Sequence, residues 1–299
     1  MQPEQVSRAP SKLVTNLCIA LLCAVWGSTW IVIRFGLRDL PAMTSGGARF
    51  VVAGVAMCAV AALFGKREGG SKPPAWLWIT LGVCNFALSY GIVYATEEVL
   101  PSGLVSLLWG VFPMLMALSS HYFLPGERLH GAQWLGFVVG LAGLVLLFFT
   151  DLHSFGPEGI PAALLLFLSP LVSCVGNTLV KLRGGGISSL ALNRNAMLLG
   201  ATLLCAFAAL TEHQVDAHWT PRAIASVVYL GLVGTTLTFG LYFWLMRYVD
   251  AHKMSLISYV TPAVGLALGW RFGGEPFTRY TLAGSACILS GVVLVVRGK

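Results

Sequence analysis

Residues 105–129 read VSLLWGVFPMLMALSSHYFLPGERL, and residues 254–277 read MSLISYVTPAVGLALGWRFGGEPF. The first stretch runs for 22 residues before its first Asp, Glu, Lys or Arg, which is Glu127. A helix that crosses a bilayer needs about 20 predominantly apolar residues. The first stretch therefore predicts a membrane-spanning helix, and the second, which begins with a similar apolar run, predicts another.

The two stretches also resemble each other. At a constant offset of 149 residues, Ser106-Leu107 aligns with Ser255-Leu256 and Pro113 aligns with Pro262. After a gap of one residue, the matched pairs are Gly126-Glu127 with Gly274-Glu275, Gly136 with Gly284, and Gly143 with Gly291. Such a joint match indicates two copies of one unit.

The composition of the whole chain agrees with a membrane protein. Of the 299 residues, 57% are hydrophobic and only 10% are charged, whereas an ordinary soluble domain has about 25% charged residues. This excludes a conventional soluble enzyme, a nucleic-acid-binding domain and a disordered chain. The net charge of +7 sits in short stretches between apolar runs, which is typical of juxtamembrane segments rather than of a nucleic-acid partner.

Ten apolar runs are long enough to be spans, and they are too long and continuous for the strands of a membrane barrel. We therefore predict an all-α polytopic membrane protein. Its predicted spans are residues 14–34, 44–64, 75–95, 102–123, 131–149, 160–181, 189–210, 223–246, 254–272 and 280–297.

The Lys and Arg residues in the connections predict the orientation. With both termini in the cytoplasm, 12 of them lie inside and 5 outside, as the positive-inside rule requires. The predicted organisation is a cytoplasmic tail over 1–13, a first five-helix repeat over 14–150 and a second over 151–299. Because five is odd, the second repeat enters the membrane from the opposite side, which is a common architecture of secondary transporters.

Three features resemble a known family: the WGSTW stretch at Trp26–Trp30, the ARF at 48–50, and the repeated pattern of Pro, Gly-Glu and Gly. Together they resemble the EamA family of the drug/metabolite transporter superfamily, over residues 14 to 297. The resemblance implies export of amino acids, other metabolites or toxic cations from bacterial cells, as a multi-pass protein of the inner membrane. It also implies a central cavity lined by spans 1, 3, 4, 6, 8 and 9. The second copy departs from the pattern, since Ser173-Cys174-Val175 replaces Trp26-Gly27-Ser28.

Polar and aromatic residues inside the spans are the candidates for substrate binding, because Trp and Tyr stack on flat or cationic ligands and Asn forms hydrogen bonds. The predicted set is Trp26, Trp30, Asn85, Tyr90, Tyr94, Trp109, Asn177, Thr238, Tyr242 and Tyr259. For each of them, packing between helices is an open alternative. Pro113 and Pro262 are predicted to kink their helices and act as gating hinges.

The charged residues lead to less specific hypotheses. Glu127 and Glu275 are interpreted as caps of the helices that follow them, which we favour over a role in proton coupling. Glu97 and Glu98 are interpreted as a solvated pair at the external end of span 3. With no acid in the middle of a span, facilitated diffusion or exchange is favoured over proton coupling. For Arg49, snorkelling to headgroups or pairing at the membrane interface is favoured, and recognition of a substrate carboxylate is the alternative.

No nucleotide-binding, metal-ligating or catalytic motif is found, so we predict neither an enzyme nor a cofactor or metal. The expected partners are a small-molecule substrate and the lipid bilayer, with the protein a monomer or a weak homodimer. The leading hypothesis is a secondary-active or facilitative transporter that exports small metabolites, foremost aromatic or apolar amino acids, by alternating access through a cavity between the repeats. The first alternative is a multidrug or organic-cation exporter, and a remote one is an intramembrane lipid-modifying enzyme.

Overall fold

The computed structural model of the protein describes residues 11–123, 128–150, 156–245, 248, 254 and 256–297, and these residues are mainly helical, without an extended strand. The helices are α1 (Lys12–Gly36), α2 (Ala42–Glu68), α3 (Ala75–Leu81), α4 (Tyr90–Glu97), α5 (Ser102–Trp109), α6 (Phe112–Phe123), α7 (Gly131–Thr150), α8 (Gly159–Arg183), α9 (Ser189–Thr211), α10 (Pro221–Val228), α11 (Thr238–Leu245), α12 (Leu256–Gly273) and α13 (Arg279–Arg297). A first π-helix (Gly82–Ser89) joins α3 to α4, and a second π-helix (Tyr229–Leu237) joins α10 to α11.

Seven of the helical segments in the described part of the chain are long and apolar enough to cross a membrane. They are Lys12–Gly36, Ala42–Glu68, Ala75–Glu97, Ser102–Phe123, Gly159–Arg183, Ser189–Thr211 and Pro221–Tyr242, and two shorter apolar helices cover Gly131–Leu146 and Arg279–Val295. The predicted all-helical membrane fold is therefore confirmed. Helices lie in each of the ten predicted segments, but the ten crossings, the inverted arrangement and the cytoplasmic termini stay predictions.

Large apolar side chains cover much of the outer surface of these helices. Leu17, Val55, Leu63, Val138 and Leu282 are more than half exposed. A soluble protein rarely exposes contiguous apolar surface of this kind, whereas lipid tails solvate it. The core between the helices holds the buried aromatic residues and leucines instead.

Helices α2 and α9 run antiparallel, and each ends in an acid that caps the start of the other. The carboxylate of Glu212 accepts hydrogen bonds from the backbone N–H groups of Met43 (2.7 Å) and Thr44 (2.8 Å). At the opposite end, Glu68 accepts one from the backbone N–H of Ser189 (3.1 Å). The first N–H groups of a helix have no partner within it, and an anion there is also favoured by the helix dipole. The two acids therefore stabilise the first turns of both helices.

The two π-helices lie at corresponding places in the third and eighth predicted spans, between two α-helical segments in each case. Their wider turn is visible at Thr235, whose hydroxyl donates to the carbonyl of Leu230, five residues earlier (2.8 Å). The second π-helix packs closely on α2, because a Cβ on Gly231 would lie 2.6 Å from Val52 Cγ1. Short π-helical segments are rare in proteins overall, but where they occur they are often at functional sites.

The two prolines at matched positions have different settings. The fourth span is interrupted at residues 110–111, between α5 and α6, and Pro113 is the second residue of α6. Pro is well tolerated in a first turn, where its missing N–H would have no partner in any case. Pro262 instead lies inside the continuous helix α12. The predicted role of both residues as hinges stays a prediction.

Candidate functional site

A cavity of about 220 Å³ lies between the helices. Its walls come from α1, α2, the first π-helix, α4, α5, α6, α8, α11 and α12. The volume is below the range of about 300–1,000 Å³ that is typical of pockets for drug-sized ligands. The cavity is therefore of a size for a small metabolite.

The cavity brings together most of the predicted binding residues. Trp26, Trp30, Asn85, Tyr90, Trp109, Asn177 and Tyr242 line it, and so do Pro113 and Pro262. That these residues contact a substrate stays a prediction.

Three of the predicted binding residues are not among the lining residues. Tyr94 is fully buried away from the cavity, and Thr238 is 1% exposed with its hydroxyl donating to the carbonyl of Gly234 (3.0 Å). The side chain of Tyr259 lies outside the described part of the structure.

Aromatic rings form two groups in the cavity wall. The ring of Trp26 lies 5.8 Å from that of Phe239 and 5.4 Å from that of Tyr242. The ring of Trp109 is stacked on Phe112 at 4.8 Å and lies 6.1 Å from the ring of Trp30. These surfaces suit a flat or apolar group.

The amide and hydroxyl groups of one wall are bonded to each other. The side-chain oxygen of Asn85 accepts hydrogen bonds from Asn177 Nδ2 (3.0 Å) and from the hydroxyl of Ser173. The indole N–H of Trp109 donates to Ser169 Oγ (2.9 Å). These bonds join α5 and the first π-helix to α8, so the two asparagines act at least in part as interhelical contacts.

Arg49 is the charged residue in the cavity wall, and its position corrects our interpretation. It is 1% exposed, so it does not snorkel to the membrane interface. Its Nε donates to Thr235 Oγ1 in the second π-helix (3.1 Å), and its guanidinium carbon lies 4.7 Å from the centre of the Tyr90 ring. Its Nη1 has no hydrogen-bond partner among the described residues.

Glu97 was also misinterpreted as a solvated residue. It is 0% exposed, whereas its neighbour Glu98 is exposed. Both carboxylate oxygens of Glu97 lack a hydrogen-bond partner in the part of the chain that the structure describes. The nearby Arg34 donates to the backbone carbonyls of Glu97, Glu98 (3.3 Å) and Leu100 (3.3 Å) rather than to the carboxylate.

Glu275 is a helix cap, but not of the helix that we predicted. Its carboxylate accepts hydrogen bonds from the backbone N–H groups of Ser102 (2.7 Å) and Gly103 (2.8 Å) and from the Ser102 hydroxyl (2.6 Å). It therefore caps α5 in the other half of the chain, not the following helix α13. The approach depends on Gly269, because a Cβ there would overlap with Glu275 Oε2. Glu127, the matched acid, lies outside the described residues.

A salt bridge lies at the same end of the helix bundle. Asp39, between α1 and α2, binds Arg222 of α10 (2.6 Å) and the hydroxyl of Thr220 (2.6 Å). The hydrogen bonds from Arg222 and Thr220 lower the pKa of Asp39 to about 2. We call this end, which also holds Glu97, Glu212 and Glu275, the Asp39 end, and the opposite end, where Glu68 caps α9, the Glu68 end.

The fold and the cavity define a class: a polytopic helical membrane protein with a solute-sized cavity between helices from both halves of the chain. The chain belongs to the EamA-like transporter family, whose model matches residues 13–149 and again residues 160–297. It is thus a transporter by family, as the sequence resemblance predicted, rather than an enzyme.

Proteins with similar sequences agree with the assignment to this family. The chain is 25% identical to the uncharacterized transporter YoaV of Bacillus subtilis, over 93% of this chain and 95% of that protein. It is 27% identical to the uncharacterized inner membrane transporter YedA of Escherichia coli, over 93% and 89%, and to the protein PecM of Dickeya dadantii, over 91% and 88%. A crystal structure that is 21% identical superposes with a TM-score of 0.68 and covers 95% of this chain and 98% of the other, which shows the shared fold.

Several cavity residues were missed by the sequence analysis. Phe239 lines the cavity where we predicted its neighbour Thr238, because one step along a helix rotates the side chain by about 100°. Phe112, next to Pro113, was missed although the proline was noted. Ser106 and Ser173 also line the cavity, and the repeated Ser-Leu pair was a signal for the first of them.

Proposed function

We propose that the protein is a secondary carrier that exports amino acids with aromatic or other apolar side chains, by alternating access through the central cavity. The observation that carries the proposal is Arg49, a buried cation in the cavity wall whose Nη1 has no hydrogen-bond partner among the described residues. A charged group inside a membrane is costly unless it is paired. The carboxylate of a substrate supplies the missing acceptor, and a charge-assisted hydrogen bond of this kind is strong.

The rest of the cavity suits the remainder of such a substrate. The apolar side chain would pack against the aromatic groups formed by Trp26, Phe239 and Tyr242 and by Trp30 and Trp109. A purely cationic substrate is disfavoured, because it would share a low-dielectric cavity with the Arg49 charge. This argues against the alternative of an organic-cation exporter, although aromatic rings alone would accept a cation.

The Asp39 end supports an alternating mechanism. Contacts between the two halves hold it together: Glu275 binds the start of α5, and Asp39 binds Arg222. In the predicted orientation this is the external end, and we therefore interpret the structure as a carrier that is closed to the outside. Export would require these two contacts to break, whereas the α2–α9 pair is already capped at both of its ends.

The test is counterflow into proteoliposomes that contain the purified protein. Vesicles loaded with unlabelled L-phenylalanine are diluted into labelled L-phenylalanine, and in parallel into labelled L-phenylalaninamide, which lacks the carboxylate. We expect accumulation of the acid but not of the amide. Arg49→Gln should reduce counterflow of the acid about 30-fold or more, because the loss of one partner of a buried charged pair costs about 2–5 kcal/mol.

Arg194 supplies the matched control. It is the arginine near the start of α9, and it is partly buried with its guanidinium bonded to Asn195 (3.1 Å). Arg194→Gln should transport L-phenylalanine like the unaltered protein. Transport of the amide as fast as the acid, or unchanged discrimination in Arg49→Gln, would contradict the proposal. Accumulation of organic cations without amino-acid flux would support the cation alternative instead.

A further inference from the structure

We propose that Glu97 is the proton-binding site that couples opening of the Asp39 end to pH. When Glu97 is protonated, the Asp39 end is closed. When Glu97 is ionised, the Asp39 end is open. The link from this site to substrate export rests on the proposed function, whereas the link to conformation does not. Our sequence analysis found no such group, because it placed Glu97 in solvent.

The first argument is the burial of the carboxylate. Glu97 is 0% exposed, and neither carboxylate oxygen has a hydrogen-bond partner within the described residues. An isolated ionised carboxylate in a medium of low polarity is strongly disfavoured, and such a group takes up a proton instead. Burial of an acid without a partner is thus compatible with a neutral Glu97 and not with a charged one.

The charges around Glu97 do not compensate for this burial. Arg34 of α1 and Arg49 of α2 attract its ionised form, whereas Glu275, in the loop before α13, repels it. Arg34 donates to three backbone carbonyls at the end of α4. Glu275 is already bound to the start of α5, so its charge is fixed beside Glu97. Tyr94, one turn earlier on the same helix, has its hydroxyl beside the Arg49 guanidinium, without a hydrogen bond of good geometry among the described residues.

A second observation connects Glu97 to the cavity. Most of the buried polar side-chain atoms without a hydrogen-bond partner in the described residues belong to three side chains: Arg49 Nη1, the Tyr94 hydroxyl and the two oxygens of Glu97. These three side chains interact electrostatically with one another. Buried polar groups are normally satisfied, so a continuous set of unsatisfied groups from the cavity wall to the Asp39 end needs an explanation. A group that changes its protonation and its partners during transport supplies one.

These observations define a sequence of states. With Glu97 protonated, the Asp39 end is closed, as in this structure. When Glu97 releases its proton towards the cavity, it becomes a buried anion that Arg49 attracts. A substrate carboxylate bound to Arg49 neutralises part of the Arg49 charge and so weakens this attraction. The anion is then stabilised by opening of the Asp39 end, where water reaches it, and the substrate leaves. Protonation from that side allows the end to close, so one proton enters for each substrate that leaves.

The experiment measures the opening of the Asp39 end as a function of pH, without a substrate. Spin labels are attached at positions 38 and 277, which are both exposed at this end, in a cysteine-free background of the full chain in nanodiscs. We expect the distance between the labels to increase as the pH rises from about 5 to about 9, the interval in which buried carboxyl groups are known to titrate. Glu97→Gln should hold the short distance throughout.

Glu98 is the matched control, because it is the adjacent acid and its side chain is exposed. Glu98→Gln should follow the unaltered protein. If Glu97→Gln does not fold, Glu97→Asp keeps a titratable group and should move the pH at which the end opens. A distance that does not depend on pH, or a Glu97→Gln protein that responds like the unaltered protein, would overturn the proposal.

A transport measurement separates this proposal from the previous one. In proteoliposomes, an imposed pH gradient should drive accumulation of L-phenylalanine by the unaltered protein and not by Glu97→Gln. Absence of L-phenylalanine transport in the unaltered protein would refute the proposed function, while a pH-dependent distance that Glu97→Gln abolishes would still support the proton site. Transport that is indifferent to the gradient would refute the coupling and leave the carrier function intact.

Discussion

Glu275 and Glu97 are two acids at the same end of the molecule, close enough to repel each other, yet their surroundings are opposite. The carboxylate of Glu275 accepts three hydrogen bonds at the start of α5. The carboxylate of Glu97 accepts none from the described residues. The first arrangement is typical of a structural anion, because helix N-termini bind anions without further groups. The second is typical of a residue whose charge changes.

The comparison shows that position in a span is a poor guide to the role of an acid. Both residues lie at the end of a predicted span, where sequence analysis expects solvated or capping side chains. What separates them is the presence of free N–H groups opposite the carboxylate. A structural role predicts a loss of stability when the acid is removed, and a proton-binding role does not.

Removal of the Glu275 carboxylate should have the largest effect on stability. In Glu275→Ala, three hydrogen bonds to the start of α5 are lost and two backbone N–H groups remain buried without an acceptor. We expect the free energy of unfolding to fall by about 3 kcal/mol, since hydrogen bonds to charged groups contribute about 1.5–3 kcal/mol each and are not additive. Thermal unfolding in detergent measures it. Glu97→Gln, the comparison, should unfold at the same or a higher temperature. An equal loss in both variants would remove the distinction between the two acids.

The reciprocal caps of α2 and α9 should give a smaller effect. Glu212→Ala and Glu68→Ala each remove one helix cap, so each should lower the free energy of unfolding by about 1–2 kcal/mol. The two losses should be similar and should add in the double variant, because the caps lie at opposite ends of the helix pair. Thermal unfolding of the two single variants and the double variant checks this. If only one of the two single variants lost stability, the two caps would not contribute equally to the free energy of unfolding.

The Asp39–Arg222 salt bridge should give the smallest effect, and one with a defined pH dependence. Arg222 is about half exposed, and exposed ion pairs are weak. Because the folded-state pKa of Asp39 is lowered to about 2, its stabilisation is complete above the ordinary Asp pKa and is lost as the pH falls towards 2. The difference in unfolding temperature between the unaltered protein and Asp39→Asn should therefore be constant from pH about 8 to about 5. A change in that interval would mean that Arg222 and Thr220 alone do not determine the contribution of Asp39 to stability.

The helical fold could largely be predicted from the sequence, because a continuous apolar run that crosses a bilayer can satisfy its backbone hydrogen bonds only as a helix or in a closed barrel. Pro113 and Pro262, which the sequence analysis paired with each other, both line the cavity. The errors concern single residues. Arg49 was assigned to the interface because a charged side chain inside a membrane is energetically unfavourable. The sequence did not show that the Thr235 hydroxyl, 186 residues away, accepts a hydrogen bond from it.

The acids show the same limit. Glu97 and Glu98 are adjacent, and only the rotation of the helix decides which of them is buried. Glu275 was recognised as a cap, but the helix that it caps is 173 residues earlier in the chain. The two π-helices have no simple sequence signal that we could identify. Features that depend on contacts between the halves are therefore the ones that the sequence did not reveal.

The caps have a consequence for how the chain is assembled. Glu212 and Glu275, in the second half, bind the starts of α2 and α5 in the first, and Glu68 in the first half binds the start of α9 in the second. Neither half can supply these acids to its own helices. If the gene were split between residues 150 and 160, each fragment alone would have helices whose first N–H groups lack their capping acids. The caps would form again only when the two fragments associate.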